Sequence, residues 1–567
     1  MDQHPWFKSY DDDVPHTLKP YPHLTLLDVM SQTANDHPLH PALLFKGKKI
    51  SYARLEHLSD AFASALVKQG VCKGDRVVVL MPNSPQTVIA QLGIWKAGAI
   101  AAMTNPLYKE YELSRLMTEC QAETAVVLSR FYEKIKSIQP HTNLSRLIVT
   151  NIKEYLPAHL KILYTIFKEA KEGDRVLLRD NDMWMSDLLK RHENSPRPNI
   201  VIKPEDPALL LFSGGTTGIP KGAIGTHHAM FISGLQLSTW FKGVLREYDD
   251  IIVLAMPLFH VYGNVGVFAT GIAGHNTFAI IPNPRDLNDL VGTIRKVRPA
   301  FLPGVPSLFI ALLDHSEVIA GKVDFKSIKL CISGAAPLLD ETRDRFESLT
   351  GGRMLEGYGL TESMMGAIIS PIHSKHKPGA VGLPLPDIEI RIADSGTGIG
   401  SLPPGDVGEI LMKAPQLMMG YFDREDETAQ AIRDGWLYTG DLGYMDSDGY
   451  VFIVDRKKDV IKPSGFQVWP REVEEVLAMH SAVREVGVAG VPDPQQGEAV
   501  KAWIVLNEGQ QPTIDELKDY CRERLAGYKV PKQIEFRSEL PKTMIGKVLR
   551  RELVADEDKV KVEARPG

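Results

Sequence analysis

Five apolar residues, Ala208-Leu209-Leu210-Leu211-Phe212, run directly into Ser213-Gly214-Gly215-Thr216-Thr217-Gly218-Ile219-Pro220-Lys221-Gly222. No other stretch limits the fold as much. The apolar residues predict a buried strand. The glycines let the backbone turn sharply and bring amide N–H groups close to an anion. Ser213, Thr216 and Thr217 add short hydroxyl donors, and Lys221 adds a point charge. Those are the parts of a polyphosphate cradle. It is not a Walker loop, because Lys221 follows Pro220 and precedes Gly222 rather than Ser or Thr. A flexible linker has similar composition, but linkers do not usually follow an apolar strand directly.

A chain of 567 residues exceeds one ordinary core, so at least two domains are expected. With 44% hydrophobic and 24% charged residues the composition is that of a soluble globular protein. The net charge of −6 argues against a general nucleic-acid binder, which would carry a basic face. Cys72, Cys120, Cys331 and Cys521 are widely spaced, with no metal-site pattern, and point to a reducing compartment. The last three sit in or beside apolar runs and are expected in the core; Cys72 is unassigned. Asp11-Asp12-Asp13 near the start, without a basic segment leading into an apolar one, argues against a secretory signal. From Ile251 to Pro284 there is no Asp, Glu, Lys or Arg. Pro257 and several glycines interrupt that stretch, so buried strands and a glycine-containing helix are expected rather than a membrane span.

Helix and strand alternate from Leu55 to Leu128 and again after Pro299, the pattern of a parallel sheet with helices on its faces. The segment 153–171 differs. Leu156, Leu160, Leu163, Tyr164 and Phe167 share a helical face, with Lys153, Lys161, Lys168 and Lys171 mostly elsewhere. Such a helix either lies on a membrane surface or packs its stripe on the body of the protein, and the second is the expectation. Past Asp455-Arg456-Lys457-Lys458-Asp459 the chain changes character. Pro470 opens a helix, two strands cover Val486–Val491 and Ala499–Leu506, Thr513 caps another helix, and Gln533–Phe536 is a last strand. That is a compact α+β domain.

Three further runs carry chemistry. In Gly357-Tyr358-Gly359-Leu360-Thr361-Glu362 the aromatic is free to stack on a flat ring, Thr361 can reach a phosphate, and Glu362 is an oxygen ligand suited to Mg²⁺. Thr439-Gly440-Asp441 presents a carboxylate able to accept both hydroxyls of a ribose. Lys547 follows Gly546 near the end of the chain. Taken singly, each is more often a turn, a core tyrosine or a solvated charge.

Taken as an ordered set, these runs resemble the adenylate-forming superfamily of acyl-CoA synthetases, luciferases and peptide-synthetase adenylation domains. The phosphate loop corresponds to Ser213–Lys221 and the adenine segment to Ser333-Gly334-Ala335-Ala336-Pro337. The hinge corresponds to Asp455-Arg456 and the C-terminal lysine to Lys547. Leu355–Glu362, Val454–Asp459, Ser464-Gly465-Phe466-Gln467-Val468 and Gly546–Leu553 look like bacterial long-chain fatty acyl-CoA synthetases.

The resemblance implies an α/β fold. A large multi-sheet domain, 1–455, has parallel sheets flanked by helices and a smaller barrel-like β region; a small mobile α+β domain spans 456–567. It implies that Ser213–Gly218 and Lys221 grip the β- and γ-phosphates of ATP. Gly334, Ala335 and Ala336 lie along adenine, with Tyr358 and Gly359 against it. Thr361 meets the α-phosphate, and Glu362, with Thr217, holds Mg²⁺. Asp441 and Arg456 bind ribose, and Lys458 and Gly465 complete the cofactor contacts, Gly465 towards the pantetheine of CoA. Lys547 faces the charge that develops between carboxylate and α-phosphate. His260, in Pro257-Leu258-Phe259-His260, borders the acyl pocket where amino-acid-activating relatives carry an aspartate. The expected activity is ATP-dependent formation of a fatty acyl-adenylate and then acyl-CoA. The alternatives are a medium-chain or aromatic acid–CoA ligase, an acyl-AMP ligase loading a carrier protein, and a non-catalytic ATP-binding regulator. A cytoplasmic setting is expected, without nucleic acid, and the reading admits a homodimer and peripheral membrane contact through Lys153–Lys171.

Overall fold

A computed structural model describes residues 4–213, 221–457, 459–463, 468–493, 495–543 and 547–563. Its first sheet has eight strands, in the order Gly420–Tyr421, Lys221–Thr226, Pro207–Ser213, Ile100–Met103, Arg76–Leu80, Thr124–Leu128, Arg146–Thr150, Met183–Trp184. From Pro207–Ser213 onward all pairings are parallel. Helices cover both faces, which is why these strands are continuous apolar runs rather than alternating ones. The helix Pro85–Lys96 shows how local signals set one such layer. The Ser84 hydroxyl accepts from the Thr87 N–H, Pro85 occupies the first turn, and every residue of the helix is buried. That includes Lys96, held by Glu56 at 2.9 Å and Asp60 at 2.7 Å.

The second sheet has fourteen strands. Its parallel half runs through Thr277–Ile280, Ile251–Leu254, Phe301–Gly304 and Leu330–Gly334 to Arg353–Tyr358. Past Tyr358 the pairing turns antiparallel, through Ile368–Ile369, Ala380–Pro384, Val451–Arg456, Trp436–Met445, Gly408–Lys413 and Glu389–Ala393. The smaller β region is therefore continuous with the parallel sheet, and Tyr358 stands at the change of direction. Ligands of open α/β sheets gather outside the carboxyl ends of strands where the strand order or direction switches.

Beyond Arg456, the antiparallel strands Val483–Asp493 and Gly497–Leu506 are joined in parallel by Gln533–Phe536. One face packs on Pro470–Ala478 and Ile514–Arg522, with Val473, Leu477, Ile504, Leu517 and Cys521 in the core. Trp503, Leu540 and Leu553 fill the other face. Cys120 and Cys331 are buried as well, and Cys72 is exposed.

Two segments depart from expectation. The glycine-containing helix foreseen between Ile251 and Pro284 is a π-helix over Tyr262–Ala269, buried throughout. Gly263 lies against its own approach segment: a Cβ there would stand 2.2 Å from the Pro257 carbonyl oxygen. The amphipathic segment forms the helix Ala158–Phe167, but none of its residues is buried. Packing of the stripe on the body holds only in part: Leu156 and Tyr164 pack against the core and Leu160 is half-buried, while Leu163 and Phe167 are exposed. The Tyr164 hydroxyl is bonded to Asp174 and, at 3.1 Å, to Arg130. Ile162, Leu163, Ile166 and Phe167 face outward. Among the described residues no helix is long and apolar enough to cross a membrane.

Candidate functional site

The expected phosphate loop closes a hairpin. Pro207–Ser213 pairs antiparallel with Lys221–Thr226, and Ser213 stands opposite Lys221. Gly214, Gly215, Thr216, Thr217 and Gly218 lie outside the described residues, as do Lys458 and Gly465. At the open edge of the hairpin the short strand Gly420–Tyr421 adds on, with Tyr421 opposite Ala223. The Tyr421 hydroxyl donates to Glu362 Oε1 at 2.8 Å, and the Lys221 ammonium sits 5.2 Å from the centre of the Tyr421 ring. The lysine of the loop and the carboxylate of the second motif thus meet on one aromatic residue that the sequence did not single out. The Met418 N–H also donates to the Glu362 carbonyl at 2.9 Å, fixing the backbone beneath the carboxylate.

Gly334 and Gly357 are register partners at the ends of neighbouring parallel strands. Ala335 then takes a left-handed conformation, φ 68°, which turns the chain across the strand ends. The turn is held from below. Glu356 is buried, pairs with Arg343 at 2.6 Å and accepts from the Leu338 N–H, and burial raises its pKa. Gly334 is required by its neighbour, since a Cβ would meet the Tyr262 ring at 3.3 Å. The Ser333 hydroxyl is buried with no hydrogen-bond partner among the described residues. Thr361 and Glu362 lie in the turn after Tyr358 and are half-buried. Gly359 leaves the room that Met365 fills: a Cβ on Gly359 would sit 3.0 Å from the Met365 sulfur.

Tyr358 and Asp441 are 83 residues apart in sequence, and the Tyr358 hydroxyl donates to Asp441 Oδ2 at 2.7 Å. Burial, then the Asp441 charge, raises the phenol well above its ordinary pKa. Asp441 and Arg456 are cross-strand partners, with Arg456 Nε 3.1 Å from Asp441 Oδ1. A bulge in the strand Trp436–Met445 precedes Asp441, with Gly440 at φ 69° and Thr439, whose hydroxyl donates to the Ile410 carbonyl and accepts from the Asp441 N–H.

Lys547 reaches this group from the other end of the chain. Its backbone forms a small closed turn, the Lys547 N–H donating to the Thr543 hydroxyl and its carbonyl accepting from the Thr543 N–H. Three residues on, Arg550 fastens that turn to the hinge. It contacts Asp455 at 3.1 Å, Asp459 at 3.2 Å and Glu474 at 2.7 Å. Burial and the Arg456 charge pull the Lys547 ammonium from 10.5 to about 8, against the opposing pull of Asp441. His260 shares this surrounding. Burial, then the Lys547 charge, holds its imidazole neutral, with a pKa of about 4. Its Nδ1 accepts from the Tyr262 N–H at 3.2 Å, so the proton resides on Nε2. Of the expected site residues within the described part, Lys547, Asp441, Arg456, Tyr358 and His260 come together, and Lys221 with Glu362 forms a neighbouring group.

The "AMP-binding enzyme" family model matches residues 30–422, and the "AMP-binding enzyme C-terminal domain" model matches residues 472–547. The chain belongs to the AMP-binding enzyme family. A relative of this AMP-binding enzyme, the long-chain-fatty-acid–CoA ligase of Bacillus subtilis strain 168, is 40% identical over 98% of both chains. The anthranilate CoA ligase AuaEII, solved in complex with anthranoyl-AMP, superposes with a TM-score of 0.81 at 26% identity, covering 96% of this chain and 98% of its own. MatB from Rhodopseudomonas palustris superposes at 0.80 in its ATP-bound form (27% identity, 95% and 100% covered) and at 0.70 in its apo form (28% identity, 94% and 99% covered). The arrangement of this AMP-binding enzyme is thus nearer to that of the nucleotide-loaded relative.

The donor set fits the groups this family uses. An unpartnered buried hydroxyl at Ser333, a paired carboxylate and guanidinium at Asp441 and Arg456, and an ammonium without a close counter-ion at Lys547 suit a nucleotide with a reacting phosphate. Among the described residues no group of three or more metal-ligating side chains is present. A single carboxylate at Glu362 suits Mg²⁺, which keeps most of its shell as water and substrate phosphate.

Proposed function

We propose that the protein activates a long-chain fatty acid with ATP and transfers the acyl group to CoA. In the first half-reaction a carboxylate oxygen attacks the α-phosphorus, an acyl-phosphate bond forms, and the bond to the pyrophosphate breaks. In the second the CoA thiol attacks the acyl carbon, its proton leaves, and AMP departs. No side-chain nucleophile is required. Lys547 opposes the negative charge that gathers between carboxylate and α-phosphate, a preorganised cation in a partly dry site. Asp441, with Arg456, receives the ribose hydroxyls, Tyr358 and Ala335–Ala336 bracket adenine, and Lys221 with the preceding loop holds the departing pyrophosphate. Thr361 meets the α-phosphate. Glu362, oriented by Tyr421, would hold Mg²⁺, which supplies charge neutralisation on the phosphates. Neutral His260 borders the acyl end, where it offers an Nε2–H and no charge.

The observation that carries this reading is the convergence of Lys547 on Tyr358, Asp441 and Arg456 from opposite ends of the chain. The small domain, taken as 456–567, rotates for the second half-reaction, withdrawing Lys547 and presenting the segment around Gly465 to pantetheine; hinge rotation of this kind is ordinary in domain closure. ATP–pyrophosphate exchange measured across fatty, aromatic and amino acids, with CoA as acceptor, tests the proposal. Exchange that rises with alkyl chain length and yields acyl-CoA supports it. Exchange confined to aromatic acids, or no turnover with any acid, overturns it. A fatty acid substrate partitions into lipid, and the outward apolar face of Ala158–Phe167 favours peripheral membrane contact as a companion reading.

A further inference from the structure

Away from the nucleotide site the large domain carries a cavity of about 660 Å³, open to solvent, between the segments 48–61, 151–161 and 174–193. The carboxylates in its wall are largely engaged. Glu169 pairs with Lys153, Asp174 with Arg130 and Glu193 with Arg54, while Glu154 accepts from Thr150 and the Asn151 N–H. Apart from Lys153 and Arg54 in those pairs, its cations are not. Among the described residues Lys48, Lys49, Lys161, Arg175 and Lys190 line the cavity with no carboxylate within ion-pair distance. The Lys48 ammonium has only the Tyr155 ring, 5.2 Å away, and burial followed by the charges of Lys161 and Arg54 lowers its pKa. Positive charge has been gathered here without an internal partner.

Lys161 belongs to the helix Ala158–Phe167, and the next residue begins its outward apolar face. Ile162, Leu163, Ile166 and Phe167 are 59, 50, 65 and 69% exposed, and Leu177, one residue past the cavity wall at Val176, is 87% exposed. Aliphatic and aromatic side chains at i, i+1, i+4 and i+5 cover one side of a helix. An apolar ridge beside unpaired lysines matches the layering of an anionic bilayer, in which acyl chains lie beneath a plane of phosphates.

We propose that this face docks on an anionic phospholipid surface, with a lipid phosphate entering the cavity between Lys48 and Lys161 while Ile162, Ile166 and Phe167 enter the interface. The site refines the companion reading of membrane contact and is independent of the adenylation chemistry. It makes binding selective for lipid charge rather than for lipid alone.

Sedimentation of the full chain with phosphatidylglycerol-containing and pure phosphatidylcholine vesicles tests this, with ATP–pyrophosphate exchange on a soluble short-chain acid as the control for folding and chemistry. The wild type is expected to prefer the anionic vesicles. Lys48→Gln with Lys161→Gln should weaken that binding about thirtyfold, at roughly fivefold per lysine, and leave phosphatidylcholine binding and exchange unchanged. Ile166→Asn with Phe167→Asn should weaken binding to both vesicles. If the double lysine variant loses exchange, Lys161→Gln alone, with its expected fivefold loss, decides the matter. An unaltered preference in the lysine variants, or none in the wild type, overturns the proposal. So does displacement from vesicles by inorganic phosphate at constant ionic strength, which would make the cavity a site for a soluble anion.

Discussion

Lys547 allows its role to be tested through its proton. Burial, then the Arg456 charge, pulls its pKa from 10.5 to about 8. At about 1.4 kcal/mol per pH unit, holding the ammonium there costs roughly 3 kcal/mol relative to water. A phosphate oxyanion brought to about 4 Å at an effective dielectric near 20 returns about 4 kcal/mol. Burial alone therefore disfavours the cation and substrate charge favours it, which is the condition for transition-state stabilisation. Lys547→Ala should lower the adenylation rate about 10²- to 10³-fold, the usual cost of removing one preorganised donor. Thioester formation from supplied acyl-adenylate should stay near the wild-type rate. The ammonium is the working form and is present below its pKa, so kcat/KM for ATP should hold below pH 8 and fall about tenfold per unit above it. Lys547→Arg, which does not deprotonate in this range, should show a lower but flat profile. Exchange of labelled pyrophosphate and single-turnover acyl transfer, followed across pH, separate the two half-reactions. A wild-type profile that stays flat well above pH 8, or equal loss of both half-reactions in Lys547→Ala, would refute the argument.

Asp441→Asn removes the charge shared by Tyr358 and Arg456, and one to two charged hydrogen bonds at about 1.5–3 kcal/mol each should raise the Kd for ATP at least tenfold in calorimetric titration, with little change in Tm. Arg550→Gln unfastens the Lys547 turn from Asp455 and Glu474. Adenylation should drop by an order of magnitude or more while acyl transfer to CoA persists, and small-angle scattering should report a wider spread of domain orientations. Lys96→Ala strands Glu56 and Asp60 inside the helical layer and should cost about 3–5 kcal/mol in urea unfolding, with Lys96→Met distinctly milder because it keeps the volume and the apolar stem.

The sequence made the site legible as a list of residues and the structure supplied its connections. Strand Gln533–Phe536 and the helix opened by Pro470 fall at the expected residues because such signals are local. Tyr421 was not legible: it sits in a strand of two residues that exists only by pairing with Ala223, and nothing near it in sequence refers to Glu362. Gly263 and Gly266 read as residues of an ordinary helix, since nothing in their local pattern marks the wider winding of Tyr262–Ala269. In 153–171 the apolar residues spread around more of the helix than one contact can cover. The pull of Asp174 and Arg130 on the Tyr164 hydroxyl decides which side turns in, and those partners are local neither in sequence nor in pattern. Lys547 could be singled out from sequence for the opposite reason. Its setting in Gly546-Lys547-Val548-Leu549 is a recurring phrase, whereas its distance from Asp441 could come only from the fold.

Arg456 occupies the last position of Val451–Arg456, a strand zipped into the large sheet on both sides, and it faces Asp441 there. Its backbone is therefore part of the large sheet, although the proposed small domain is counted from it. Anyone wishing to express the halves apart, or to exchange small domains between relatives, should place the junction after Arg456, in the three residues up to Asp459. A cut one residue earlier would leave the buried Asp441 carboxylate without its guanidinium. The large half would then fold around an uncompensated charge, and its failure to hold nucleotide would wrongly be blamed on the missing small half.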